Sequence, residues 1–161
     1  MNKTKCYLGM GGNLGNPIAL FDEVVAELCA LPQAAGVRES PRFESAPVDA
    51  TGPNYVNSVI ELFWQGTPLD LLKTCMSLES IHGRVRSIKN APRLIDLDVL
   101  LFGDSIIQSD ELTVPHPRMH LRRFVLQPLL ALSPDLEIPG LGRAALYLPS
   151  TLNQEVTPLN A

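Results

Sequence analysis

The chain has 161 residues, 45% hydrophobic and 19% charged, with a formal net charge of −4. These values fit one globular domain and exclude wholesale disorder. No apolar run approaches the ~18 residues of a membrane span, the apolar stretch before Gly9 is too short for a secretory leader, and the negative charge argues against a nucleic-acid partner gripped through its phosphates. The reading is a cytoplasmic monomer with no membrane or nucleic-acid partner. Cys6, Cys29 and Cys75 are odd in number and widely spaced, so they read as free thiols.

Residues 4–10 predict a first strand ending in glycine, followed by a loop over Gly11–Pro17. Asn16 and Pro17 are suited to the cap and first position of a helix. Phe21, Val24, Val25, Leu28 and Leu31 then recur at helical spacing up to Pro32. One strand is expected around Val37–Ser45 and another over 55–64. Thr67 and Asp70 have the spacing of a capping box, here with Asp in its last position. The helix they start carries Leu71, Leu72, Cys75 and Leu78 and stops at Gly83. In the strand 94–102, period two puts Ile95, Leu97, Val99 and Leu101 on one face. Leu94, Asp96, Asp98, Leu100 and Phe102 take the other. Gly103-Asp104 is a turn, with a short return strand at Ile106-Ile107. A further helix follows Pro117 and is interrupted at Pro128. Residues 1–148 form one domain, and 149–161 read as a loose tail. The order β-α-β-β-α-β fits an α+β, ferredoxin-like plan, an antiparallel sheet with helices packed on it.

The residues able to carry chemistry cluster late. Asp96 and Asp98 lie side by side on one strand face. Carboxylate-only ligation suits Mg²⁺, which shares its shell with water and phosphate oxygens. An edge strand holding its acids in water, or paired with arginines, is the plainer alternative. Residues 84–123 hold seven of the thirteen basic residues: Arg84, Arg86, Lys89, Arg93, Arg118, Arg122 and Arg123. Guanidinium forks beside carboxylates and a cation are the equipment of phosphoryl transfer, although the same residues could simply pair with one another. His116, between Pro115 and Pro117, is rigidly placed for a phosphate or ribose, or is a surface-turn histidine. His82 faces a helix end, and His120 is solvated. The glycine-rich Gly9–Gly15 matches neither the P-loop nor a complete dinucleotide fingerprint, and reads as a tight turn presenting Asn13 to a substrate. Asn57, in an apolar strand, could read the polar edge of a heterocycle or point to solvent. A ferredoxin-like RNA binder would need a basic face with exposed aromatics, whereas this face carries two acids.

Gly11-Gly12-Asn13-Leu14-Gly15, Tyr55-Val56-Asn57, Glu79 with Gly83-Arg84-Val85-Arg86, Pro92-Arg93-Leu94-Ile95-Asp96-Leu97-Asp98, and Leu112-Thr113-Val114-Pro115-His116 with Arg122-Arg123-Phe124 stand in a telling order. Over about residues 5–140 the chain resembles the 6-hydroxymethyl-7,8-dihydropterin pyrophosphokinase family of folate biosynthesis. That resemblance implies a ferredoxin-like fold and transfer of pyrophosphate from ATP to the pterin hydroxymethyl group, with AMP released. It implies two Mg²⁺ ions on Asp96 and Asp98. Arg84 and Arg93 would steady the phosphates, with Arg86 and Arg122 nearby. Thr113 and His116 would contact the nucleotide, and Glu79 with the backbone of Val99 would seat the adenosine. Asn57 would read the pterin edge and Phe124 would stack on the ring. Ser45, Ala46, Val48 and Tyr55 would line the rest of that pocket, with Asp96 close by. The proton of the attacking alcohol would pass to Asp98 or to a metal-bound hydroxide.

The chain also departs from the family pattern. Lys89-Asn90-Ala91 replaces an R-W-G, Ser87 a basic residue, Met76 a glutamine, Glu111 an arginine and Gly12 a serine, and Pro117 stands where an aromatic can follow the histidine. A catalytically weak or silent nucleotide- or pterin-binding relative on the same fold is therefore the alternative, and AMP formation separates the two.

Overall fold

The computed structural model describes residues 2–46, 53–82 and 95–159. Its strands and helices follow in chain order: β1 (Thr4–Gly12), α1 (Pro17–Ala30), β2 (Ala34–Glu39), β3 (Phe43–Ser45), β4 (Tyr55–Trp64), α2 (Pro68–His82) and β5 (Asp96–Phe102). After them come β6 (Ile107–Gln108), β7 (Thr113–Val114), α3 (Arg123–Leu132), β8 (Glu137–Ile138), β9 (Gly142–Arg143) and β10 (Val156–Pro158). β1 lies between β4 and β5 and pairs antiparallel with both. β2 and β3 both pair with β4, and β10 adds a strand beyond β3. With β2 and β3 counted as one broken strand, this is the ferredoxin-like arrangement.

Local chemistry explains the helix starts. Asn16 accepts from the Ala19 amide at 3.2 Å and Pro17 opens α1. Thr67 and Asp70 cap reciprocally, Thr67 Oγ1 accepting from the Asp70 amide at 3.1 Å and Asp70 Oδ2 from the Thr67 amide at 3.2 Å. α1 and α2 cover one sheet face, burying Phe21, Val24, Leu28, Leu71 and Cys75 against Cys6, Leu8 and Met10. Each fully buried large apolar side chain of this kind contributes roughly 1.5–3 kcal/mol. Burial pushes the Cys6 thiol up to about 12 and raises that of Cys75 as well, so both act as core hydrophobes. His82 bridges α2 to α1 through Glu23 and Glu27, at 3.1 and 2.9 Å, rather than merely facing its own helix end.

Several elements differ from the sequence reading. The strand expected at 37–45 is two pieces. Pro41 has no amide to give the ladder, and pairing with β4 ends at Ser40, whose amide donates to the Val59 carbonyl at 2.8 Å while its Oγ accepts from the Val59 amide at 2.9 Å. β1 runs on through Gly12, so Gly11 and Gly12 belong to the sheet and not to a loop. In β5, Tyr7 and Leu8 face Leu101 and Val99. Leu100 is therefore the extra residue of a bulge, which exchanges the faces beyond it: Leu101 joins the core opposite α1 and α2, and Phe102 joins theirs. Pro128 does not interrupt α3, which gives up one ladder bond there and continues. α3 also covers the second face of the sheet, where Val125, Leu126 and Leu129 pack on Tyr7, Val59 and Leu101. Nor is 149–159 a loose tail: Ala144–Thr151 coils as a 3₁₀ helix and β10 adds to β3, because Val156 buries its side chain there. His120 is not simply solvated, its ring lying edge-on to Tyr147 at 5.1 Å.

One polar cluster ties α3 to the sheet. Glu61 is 3% exposed and accepts from Tyr7 Oη at 3.0 Å and from Arg38 at 2.9 Å, with Ser133 at the end of α3 sharing the tyrosine hydroxyl at 2.7 Å. Burial alone would raise its carboxyl, but the hydrogen bonds from Arg38 and Tyr7 and the charge of Lys5 hold it below the ordinary 4.5. A depressed carboxyl stabilises the fold above its unfolded value, and that contribution fades as pH falls through the folded value. The difference in unfolding free energy between the wild type and Glu61→Gln should thus be full at neutral pH and shrink on acidification, as measured by urea titrations from pH 7 to 3. Arg38 is 56% exposed along its side chain, so Arg38→Ala should cost only about 1–2 kcal/mol after solvent screening.

Candidate active site

The second face of the sheet is open beside α3, and a cavity of about 670 Å³ lies there, a volume suited to a small-molecule ligand. Alternation in three neighbouring strands builds its floor. β1 contributes Gly9 and Gly11, β4 contributes Asn57, and β5 contributes Asp96, Asp98 and Leu100. Gly11 faces both Asn57 and Asp96 in register. The glycines keep this floor low: a Cβ on Gly11 would stand 3.0 Å from Asn57 Nδ2, and one on Gly9 would stand 3.4 Å from Leu100 Cδ2.

Asn57 is 7% exposed and accepts from Ser45 Oγ at 2.9 Å, which fixes its amide over Gly11. Asp96 is half-buried and Asp98 is exposed into the cavity mouth. Ser45, Ala46 and Tyr55 form one side, and His116, Arg122 and Phe124 another. The Arg122 guanidinium lies over the Phe124 ring, 5.5 Å from its centre.

His116 is anchored to β5 at its bulge, its amide donating to the Leu100 carbonyl at 2.9 Å. Its Nδ1 accepts from the Arg118 amide at 3.1 Å, which assigns the proton of the neutral ring to Nε2. Burial lowers its pKa below the ordinary 6.5, Asp98 works against that, and Arg122 and Arg118 add to it. The imidazole is therefore neutral at pH 7 and presents Nε2–H as a donor.

Not every residue singled out in the sequence joins this cavity. Glu79 is buried on α2 and accepts from the Leu97 amide at 2.9 Å, holding the strand between the two aspartates at its outer edge. Val99 turns its side chain into the core under α1 and α2, and Thr113 is half-buried in β7. Asn13 does not face the cavity. It donates to the Pro53 carbonyl at 3.3 Å and lines a separate hollow with Gly15 and Pro17. Val48, Arg84, Arg86 and Arg93 lie outside the described residues, as do Ser87 and Lys89-Asn90-Ala91. Conversely, Asn153, Gln154, Glu155 and Val156 line the cavity. Their short polar run has no periodicity, and nothing local in it signals a site.

Comparison with known proteins fits this geometry. Residues 7–134 match the family model described as 7,8-dihydro-6-hydroxymethylpterin-pyrophosphokinase. The chain belongs to that family. It is 39% identical to the 2-amino-4-hydroxy-6-hydroxymethyldihydropteridine pyrophosphokinase of Pseudomonas aeruginosa, over 92% of this chain and 90% of that protein. It is 36% identical to the protein of the same name from Haemophilus influenzae, over 83% and 84%. It is also 39% identical to the folic acid synthesis protein fol1 of Schizosaccharomyces pombe, of which it spans only 18%. The fold matches a solved chain described as "Crystal Structure Analysis of the HPPK-DHPS in complex with substrates", with a TM-score of 0.72 and 12% identity, over 95% of this chain and 44% of that one. Among the described residues no helix is long and apolar enough to cross a membrane.

The electrostatics of His116 can be checked by NMR on metal-free protein. Its midpoint should lie below 6.5. Arg122→Ala removes a repelling charge and should raise it, whereas Asp98→Asn removes a favourable one and should lower it further.

Proposed function

We propose that this family member transfers pyrophosphate from ATP to the hydroxymethyl oxygen of 6-hydroxymethyl-7,8-dihydropterin and releases AMP, a step of folate biosynthesis carried out in the cytoplasm by a monomer. The observation that carries the reading is one cavity holding two neighbouring carboxylates, Asp96 and Asp98, together with an aromatic and an amide, Phe124 and Asn57, suited to a flat heterocycle.

Mg²⁺ fits the donors present. Asp96 and Asp98 supply only hard oxygen ligands, and among the described residues no group of three or more His, Cys, Asp or Glu is gathered to enclose a metal. A cation held by two carboxylates completes its shell from water and phosphate, as Mg²⁺ does. Two Mg²⁺ ions bound there would neutralise and orient the triphosphate.

The protein's own residues do the rest. Asn57, held by Ser45, offers its amide to the pterin edge, and Phe124 offers a ring face. Ala46 and Tyr55 complete that side of the pocket, and Val48 is assigned to the pterin by the motif match alone. His116 donates Nε2–H to the nucleotide, and Arg122 supplies charge beside it. Glu79, the Val99 backbone and Thr113 seat the adenosine along the outer edge of β5. Arg84, Arg86 and Arg93 hold the phosphates, an assignment resting on the motif match alone. Catalysis then consists of aligning the attacking oxygen with the β-phosphorus and stabilising charge on the departing AMP. In this reading the alcohol proton passes to Asp98.

Incubation with ATP, Mg²⁺ and the dihydropterin, followed by nucleotide separation, tests this. Pterin-dependent AMP is expected. ADP would mean transfer of a single phosphate, and bound but unreacted ATP would point to a silent relative. Asp98→Asn should lower kcat by at least about a hundredfold, the scale of losing a preorganised charge stabiliser, with the far-UV spectrum unchanged. Phe124→Ala should raise KM for the pterin about three- to tenfold, the worth of one stacking contact.

A further inference from the structure

Phe124 and Arg122 enter the cavity from an unusual joint. The 3₁₀ turn Met119–Leu121 ends, Arg122 alone is extended with φ −120 and ψ 115, and α3 begins at Arg123. A helix start is ordinarily fixed by a short polar side chain at the cap position. Here that position is Arg122, which makes no side-chain capping bond.

The cap comes from 31 residues away in the chain. Gln154 Oε1 accepts from the Arg123 amide at 2.9 Å, and Gln154 Nε2 donates to the Leu121 carbonyl at 2.9 Å. One carboxamide thus grips the backbone on both sides of Arg122. Arg123 returns the bond, its Nη1 donating to the Gln154 carbonyl at 2.9 Å. The tandem arginines divide the work: Arg122 faces the cavity and Arg123 faces the strap that holds it. The strap is secured at its far side by β10 pairing with β3, the strand that carries Ser45. Gln154 itself lies outside the span matched by the family model.

We infer that Gln154 is a positioning residue: by bracketing Arg122, its carboxamide sets the angle at which Arg122 and Phe124 meet nucleotide and pterin. The inference builds on the proposed reaction, and its test separates the two. In Gln154→Ala, KM for both substrates should rise about tenfold, within the range that misplacing contact groups costs, while kcat stays within about twofold. Gln154→Glu keeps the acceptor for the Arg123 amide and should recover part of the loss. Amide hydrogen exchange at Arg123 should accelerate in Gln154→Ala and not in the core of α3. Unchanged KM values would overturn the inference, whether or not thermal stability falls, because a merely structural strap changes only the amount of folded enzyme. Should the alanine variant fail to fold, the glutamate variant decides by the same KM comparison. A wild-type protein that makes no AMP would sink the proposed reaction instead. Binding of ATP and of the dihydropterin to the two proteins then decides, weaker binding by Gln154→Ala upholding the positioning role and equal binding refuting it.

Discussion

Period-two alternation across β1, β4 and β5 is the constraint on which the rest of the molecule depends. Cys6, Leu8, Met10, Val56, Ile60, Leu97 and Val99 face α1 and α2, and that packing locks the register of the strands. A slip of one residue would turn this apolar set outward. The same register delivers Gly9, Gly11, Asn57, Asp96 and Asp98 to the opposite face as one floor. The hydrophobic effect on one side of the sheet therefore places the polar chemistry on the other.

The second face must be partly covered and partly left open. α3 covers the end near Tyr7, Val59 and Leu101, and the Glu61, Arg38, Tyr7 and Ser133 cluster anchors its C-terminal end there. That cluster fixes where the end of α3 meets the sheet. At its other end α3 meets the cavity, and Gln154 grips the joint. The bulge at Leu100 belongs to the same arrangement. It lets β5 serve the cavity over Asp96 and Asp98 and still give Leu101 to the core beneath α3. Beside that bulge the Leu100 carbonyl receives the His116 amide, so the irregular strand also fixes the imidazole.

How legible each feature was depended on the range of the interaction behind it. Helix starts at Asn16 and Thr67 rest on contacts three residues apart, and both were readable. The alternation that pairs Asp96 with Asp98 is equally local. The break at Pro41 needed the knowledge that Ser40 would bond to Val59 from the neighbouring strand. The exchange of Leu101 and Phe102 between faces needed the partner strand, because a bulge is a property of two strands. Pro128 was misleading because packing against the sheet outweighs one missing helix bond.

The amino-acid sequence by itself determined the order of elements, the two-carboxylate face of β5 and, through its motifs, the family. All of these rest on spacings within a few residues. Only the tertiary structure decided that Asn57, Ser45, Phe124 and the aspartates share one cavity, that Glu79 holds the strand edge outside it, and that Asn153–Val156 close one side. Those facts depend on contacts between residues far apart in the chain, created when burial of the opposite face brings the strands into register.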